Sequence, residues 1–439
     1  MMKKKIIYII SFALLLCNMA NAQVLPVPAA RQSEPIVLSG ATIHTGTGEV
    51  IENGVVAFNN GIITAVGKTG EVTIQADARV IDLSGKHIYP GLILTNSNIG
   101  LSEIGSVEET QDSREFGQLN PGVRTLVAYN TDSHIIPVVR ANGVLLAQVA
   151  PSGGLLSGTS SVMQLDAWNW EDAAYEIDNG IHVNWPRMSS RGGRGRQFAM
   201  FGGSGGASNF DQNIKELDQL FTDAAAYAEL DRPEKTNLSL EAVKGLFTGD
   251  QTLYINVGEA KGIITSVNFA REHGVKKIVL VGVGEDGWLV KDFIKENNIP
   301  VILGNVFSMP SYEHSDTRLP FKLARMFNDE GILTGITFPS AASAFNLPFT
   351  AGQAVAYGLS KEDALKMITL NNARILGIDD RTGSLETGKD ANIVVSTGDI
   401  LDMMTNNIEL AFINGRSIDL DNKFKMLYER FQVKYDRVK

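Results

Sequence analysis

Between residues 88 and 376, strand-like runs and helical segments take turns, and no other feature restricts the fold as much. The strand-like runs lie at 88–89, 144–149, 162–165, 253–255, 277–281, 301–303 and 334–337, with helical segments at 211–230, 259–273, 286–298 and 361–376. Strands that alternate with helices build parallel βαβ units, because a parallel return needs a crossover long enough to hold a helix. Ser360 before Lys361-Glu362-Asp363 marks one helix start, with an N-cap hydroxyl and early acids that suit the helix dipole.

The flanking segments have a different rhythm. Residues 35–87 carry short apolar runs at 36–38, 41–43, 55–58, 61–66 and 79–81, with turn chemistry at Asn59-Asn60-Gly61 and Lys68-Thr69-Gly70. Similar runs return at 391–395 and 408–413, ahead of Asn414-Gly415. Neither piece has enough apolar faces to close a core alone. The two are therefore expected to combine, strands near 391–413 pairing with those of 35–83.

The first residues read as a secretory signal. Lys3, Lys4 and Lys5 precede an apolar run at 6–16 that is too short to span a bilayer, and Ala20-Asn21-Ala22 is a small-x-small cleavage site. Cleavage after Ala22 predicts a periplasmic or secreted protein. Lipid anchoring at Cys17 is the rival reading, and the bulky Leu16 before it speaks against it. Cys17 is the only cysteine. A cleaved chain thus has no disulfide, no thiol nucleophile and no zinc–thiolate site. Cleavage removes three lysines and no acid, moving the net charge from −10 to −13. That field disfavours nucleic acid and anionic membrane as partners. No second long apolar stretch exists, so no membrane span is expected.

Two regions connect the chain to a known family. Gly85-Lys86-His87-Ile88-Tyr89-Pro90-Gly91-Leu92-Ile93 resembles the entry to the metal-dependent amidohydrolases. The strings at 359–365, 368–371, 373–377 and 383–392, the last reading Gly383-Ser384-Leu385-Glu386-Thr387-Gly388-Lys389-Asp390-Ala391-Asn392, look like that family's last helix and its return to a β-domain. The resemblance covers nearly the whole chain after the signal and is nearest to the imidazolonepropionase-like subgroup. It implies a (β/α)8 TIM-like barrel over 89–385, and a small composite β-sandwich built from 23–88 and 386–439.

The family's chemistry uses a divalent metal, normally zinc, to activate water, and an aspartate to take its proton. Its first barrel strand usually ends in Asp-x-His-x-His. In register, this chain offers Leu94, Asn96 and Asn98 there. Gly258 stands where the next histidine falls, Val283 takes the place of another, and Pro339 replaces the metal-binding and base aspartate. The six histidines, His44, His87, His134, His182, His273 and His314, lie away from those strand ends, His134 and His182 being expected in connections. Amide side chains are poor zinc ligands. No metal is expected, and no catalytic residue is assigned.

Other features have a bland reading beside a sharp one. Glu259, Glu285 and Asp286 lie near strand ends and could form a metal-free acid–base pair or hold a hard cation. As residues that open helices, they also suit the dipole without any chemistry. Gly282-Val283-Gly284-Glu285-Asp286-Gly287 matches a dinucleotide fingerprint, yet the next strand ends at Asn305 rather than at an acid for a ribose hydroxyl. It reads as a glycine-rich barrel loop. The Arg/Gly-rich stretch 187–208 reads as an inserted loop rather than a nucleic-acid segment, given the net acidity. Trp168, Trp170 and Trp185 suit loop packing before sugar or aryl stacking. Ser133 and His134 are sequence neighbours and no hydrolase dyad, since adjacent residues on a helix point apart.

The chain thus reads as an exported, non-catalytic relative of the amidohydrolases, a binding or partner subunit. A small-molecule ligand would occupy a pocket drawn from Asn96, Asn98, Gly258, Glu259, Val283, Glu285, Asp286, Asn305, Pro339 and Ser340. The expected partner is a second copy, or an exported paralogue that keeps the His-x-His pair. The alternative is a hydrolase of C–N bonds in non-peptide or cyclic amides, with a metal-free or oxygen-ligand site.

Overall fold

The structure, a computed structural model, describes residues 27–72, 77–187, 209–230, 232–304, 306–338 and 340–435. The expected signal segment with Cys17, nearly all of 187–208, Asn305 and Pro339 lie outside the described residues.

The β-rich ends supply β1 (Ile36–His44), β2 (Val50–Asn59), β3 (Ile62–Lys68), β4 (Arg79–Asp82) and β5 (His87–Pro90). The middle supplies β6 (Leu92–Ser97), β7 (Val144–Val149), β8 (Leu156–Gln164), β9 (Ala174–Asn184), β10 (Thr252–Asn256), β11 (Ile278–Val283), β12 (Val301–Leu303) and β13 (Thr334–Ile336). The C-terminal part adds β14 (Ile393–Ser396), β15 (Ile408–Ile413) and β16 (Arg416–Ser417).

Strands from both ends form one sheet in the order β16-β15-β14-β5-β1-β2-β3. The first half of β1 pairs with β4, Ile36 opposite Arg79, while its second half pairs with β5, Thr42 opposite His87. Register shifts between Ser39 and Ile43 separate the two halves, as a bulge bends a strand and ends its pairing. One core results, in which Leu38, Ile43, Phe58 and Ile88 meet Ile393, Val395 and Phe412. The C-terminal strands reach the N-terminal piece through β5, at 87–90 and so just beyond the 35–83 strands expected, with Ser396 opposite His87. Asp390 adds a bridge to Ile62.

Strands β6 to β13 form the second sheet, in sequence order, and curl into a barrel. Seven run one way. β8 is reversed, antiparallel to both β7 and β9. The six residues between β7 and β8 are too few for a parallel crossover, so a hairpin forms instead. β9 was not foreseen as a strand. It pairs in parallel with β10, Tyr254 opposite His182 and Asn256 opposite Asn184.

Neighbouring side chains on β6 show the two faces. Ile93 joins Leu146, Tyr254, Val279, Val281 and Ile302 in one cluster, while Leu94 joins the larger cluster that includes Phe221, Ile263 and Phe327 of the surrounding helices. That is the period-two alternation of a strand buried on both sides. Between β13 and β6 a side chain replaces strand pairing. The amide of Asn372, on the helix Leu370–Leu376, donates to Ile93 O at 2.7 Å and Ile336 O at 3.0 Å. The Thr337 hydroxyl donates to Thr95 O across the same seam.

Candidate functional site

Sites in such barrels gather at the C-terminal strand ends. Here a cavity of about 800 Å³ opens over the ends of β9, β10, β11 and β12. Gly258, Glu259, Val283, Glu285 and Asp286 all line it, so tertiary structure brings together five of the ten expected pocket residues. Asn96, Asn98 and Ser340 are not among the described residues that line it, and Ser340 is exposed.

Glu285 and Asp286 occupy the first turn of the helix Glu285–Leu289 and are buried. The Glu285 carboxylate accepts the Ser311 N–H at 2.8 Å and the Ser315 hydroxyl. Asp286 accepts the Tyr312 hydroxyl at 2.8 Å and the Ala260 N–H at 3.3 Å. Both acids thus tether the loop after β12 to the barrel rim. The glycines beside them answer a backbone need. Gly282 has φ +76°, and a Cβ on Gly304 would stand 3.3 Å from Gly282 O. The ends of β11 and β12 approach closely there, so a larger residue at 304 would push the Gly282 backbone aside by a few tenths of an ångström, while the positive φ at 282 favours glycine.

Asn96, the last residue but one of β6, is in the left-handed region, φ +47°, where asparagine is better tolerated than most residues. Its N–H donates to Gln148 Oε1 at 3.0 Å, and Gln148 Nε2 donates to Ser160 Oγ at 3.1 Å. Asn98 Oδ1 is buried and has no hydrogen-bond partner.

The cavity residues left out of the expected pocket include Asn184 and Asn256, which sequence reasoning missed, and Trp185, which it read as loop packing. Asn184 and Asn256 close adjacent strands in register. Asn184 donates to Gly154 O at 2.9 Å and Ser157 Oγ at 3.0 Å, holding the turn before β8. Trp185 is 8% exposed, and its indole N–H has no partner. The available signal was the inverted alternation Ile181-His182-Val183-Asn184, polar inward and apolar outward.

His182 is the clearest correction. Expected in a connection, it lies on β9, fully buried, with its ring stacked on Tyr254 at a centroid distance of 4.9 Å and an interplanar angle of 8°. Gly180 makes the room, since a Cβ there would stand 2.4 Å from the Tyr254 ring. Neither His182 nitrogen has a hydrogen-bond partner, and burial pushes its pKa down to about 3. It sits two residues, about 6.6 Å, below the strand end. His134 is exposed ahead of the helix Ile135–Arg140. His273 ends the helix Ala260–Glu272, 3.1 Å from Asp218.

Several known proteins are similar to this chain. The model of the amidohydrolase family matches residues 204–418. The imidazolonepropionase of Picrophilus torridus is 35% identical over 109 residues, 23% of this chain and 27% of that protein. The match therefore spans about a quarter of that relative's length. An amidohydrolase from Thermotoga maritima superposes with a TM-score of 0.75 at 24% identity, over 88% of this chain and 99% of that one. An adenosine deaminase from Xanthomonas campestris, solved with bound zinc, gives a TM-score of 0.53 at 15% identity, over 94% and 99% of the two chains. Molinate hydrolase gives 0.53 at 16% identity, over 89% and 95%.

Proposed function

The chain belongs to the amidohydrolase superfamily, and from that premise we propose that it has lost metal-dependent hydrolysis and acts as a non-catalytic binding or partner protein. One observation carries this reading, the chemistry of the donors at the barrel mouth. Zinc takes imidazole, thiolate and carboxylate ligands. The strand ends here present the amides Asn96, Asn98, Asn184 and Asn256 and the aliphatic Val281 and Val283. Among the described residues, no group of three or more His, Cys, Asp or Glu could hold a metal ion. Glu285 and Asp286 already hold the loop after β12. His182 is walled in below the mouth. These residues do not fit the superfamily's metal, and no hydrolytic step is derived through one.

Binding suits what remains. Trp185 offers an unpartnered N–H beside Asn256, so the cavity suits a polar ligand with a carbonyl or similar acceptor. The start of the chain, with its lysines and the Ala20-Asn21-Ala22 site, supports a periplasmic or secreted location. Among the described residues, no helix is long and apolar enough to cross a membrane.

The test is elemental analysis of protein purified without chelator, paired with hydrolysis assays on a panel of cyclic and non-peptide amides. Well under one equivalent of zinc, iron or manganese and no turnover are expected. Asn96→His with Asn98→His should not restore hydrolysis, because the later strands still lack a ligand and a base. Stoichiometric zinc, lost on chelation together with an activity, would overturn the reading. Turnover that survives chelation would replace it with a metal-free hydrolase.

A further inference from the structure

The C-terminal helix Lys423–Lys434 differs from the rest of the molecule in both packing and charge. None of its residues is buried. Its start is fixed, since the Asn422 side chain accepts the N–H groups of Phe424 and Lys425, and it lies beside the helix Ile135–Arg140. Phe424, Tyr428, Phe431 and Tyr435 follow at steps of four, three and four, which aligns them along one helical face. They are 61%, 67%, 48% and 61% exposed. The stripe is about 16 Å long at 1.5 Å per residue. Lys423, Lys425, Arg430 and Lys434 outnumber Glu429, so the helix carries +3 in a chain of net charge −10.

A surface of the opposite character lies on the same chain. The lobe 103–116 after β6 holds Glu103, Glu108, Glu109, Asp112 and Glu115 against Arg114, a net −4. Within it Ile104, Val107 and Phe116 are 54%, 37% and 94% exposed. The lobe is ordered by its own backbone. Glu103 N–H donates to Thr110 O at 3.1 Å, and Asp112 N–H to Leu101 O at 2.7 Å. Arg114 turns onto Glu108 at 3.0 Å, so the lobe's charge is acidic toward solvent.

We propose that the C-terminal helix of one copy docks on the 103–116 lobe of a second copy, aromatic side chains against Ile104, Val107 and Phe116, and basic ones against the acids. Charge decides between the occupants. Two such helices packed on each other would juxtapose like charges. An anionic bilayer would attract the helix but repel the acidic body. Of these three candidates, the lobe combines apolar contact with opposite charge. A reciprocal exchange makes two equivalent contacts and closes a two-fold dimer.

Sedimentation velocity on the full processed chain tests this. A dimer is expected, weakening as salt rises from about 0.05 to 0.5 M because the contact is partly ionic. Phe424→Ser with Phe431→Ser should raise the dissociation constant about tenfold or more. So should Lys425→Glu with Arg430→Glu, and separately Glu108→Lys with Glu115→Lys. Mixing the helix variant with the lobe variant should restore association in part, since the unaltered basic helix of one then meets the unaltered acidic lobe of the other. All these positions are exposed, so an unchanged melting temperature serves as the folding control. A wild-type protein that stays monomeric at about 50 μM would overturn the proposal. So would a dimer indifferent to all three pairs of changes. A monomer whose helix binds phosphatidylglycerol vesicles would assign the stripe to lipid instead.

Discussion

Asp166→Asn tests how the barrel and the composite sheet are joined. Asp166 follows β8, and its side chain is 4% exposed. Oδ1 accepts Arg140 Nη1 at 2.7 Å; Oδ2 accepts Arg416 Nη1 at 3.0 Å and the Ala29 N–H at 2.9 Å. Arg140 belongs to a barrel helix and is 5% exposed, while Arg416 begins β16 of the other sheet and is 14% exposed. Burial lowers the Arg140 pKa, and Asp166 is the first charge that opposes that shift. Asparagine keeps the shape, removes the charge and turns an amide N–H toward one of two guanidiniums. Breaking a buried pair by removing one partner costs about 3–5 kcal/mol. Urea unfolding of wild type and variant reads that loss directly. In a double-mutant cycle with Arg140→Met, the coupling should exceed about 1 kcal/mol, because the second change removes the stranded charge. A loss below about 1 kcal/mol for Asp166→Asn, the range of exposed pairs, would refute the reasoning.

Three further outcomes are expected. His182 is neutral when folded, its pKa depressed from 6.5 to about 3, so protons bind the unfolded chain first. Its contribution is complete above pH 6.5 and is lost as the pH falls toward 3, by up to about 1.4 kcal/mol per unit. A His182→Leu variant should show a flatter acid limb in urea midpoints between pH 6 and 4, and parallel curves would count against this. Asn372→Leu removes both bonds that bridge the β6–β13 seam and should cost about 2–4 kcal/mol in the same assay; a change under about 0.5 kcal/mol would mean the seam closes without it. A chain ending at Asp390 lacks β14 to β16 and leaves β5 an open edge. It should be insoluble or fail to unfold cooperatively, and a soluble, cooperative truncation would refute the composite domain as a folding necessity.

Much was legible in the residues because it depends on local pattern. The alternation of strands and helices, the two β-rich ends and the string 383–392 pointed to a barrel with a composite β-domain, which is the architecture observed. The N-cap at Ser360 forms as expected, accepting the Asp363 N–H at 3.0 Å. The amides at 96 and 98 could be read directly, since ligand chemistry is a property of residue type. Tertiary structure decided the rest. Whether His182 faces inward or out depends on the register of β9 against β10, a pairing across some 70 residues. Glu285 and Asp286 look like simple helix-opening acids until the loop at 311–315 folds back onto them, 26 to 30 residues further on. Strand β8 reverses because its flanking connections are short, and Asn372 bridges a seam formed by strands more than 240 residues apart. Composition and periodicity specify which residues prefer burial; only closure of the barrel determines which buried groups meet, because hydrogen-bond partners and cavity walls are contributed by segments distant in sequence.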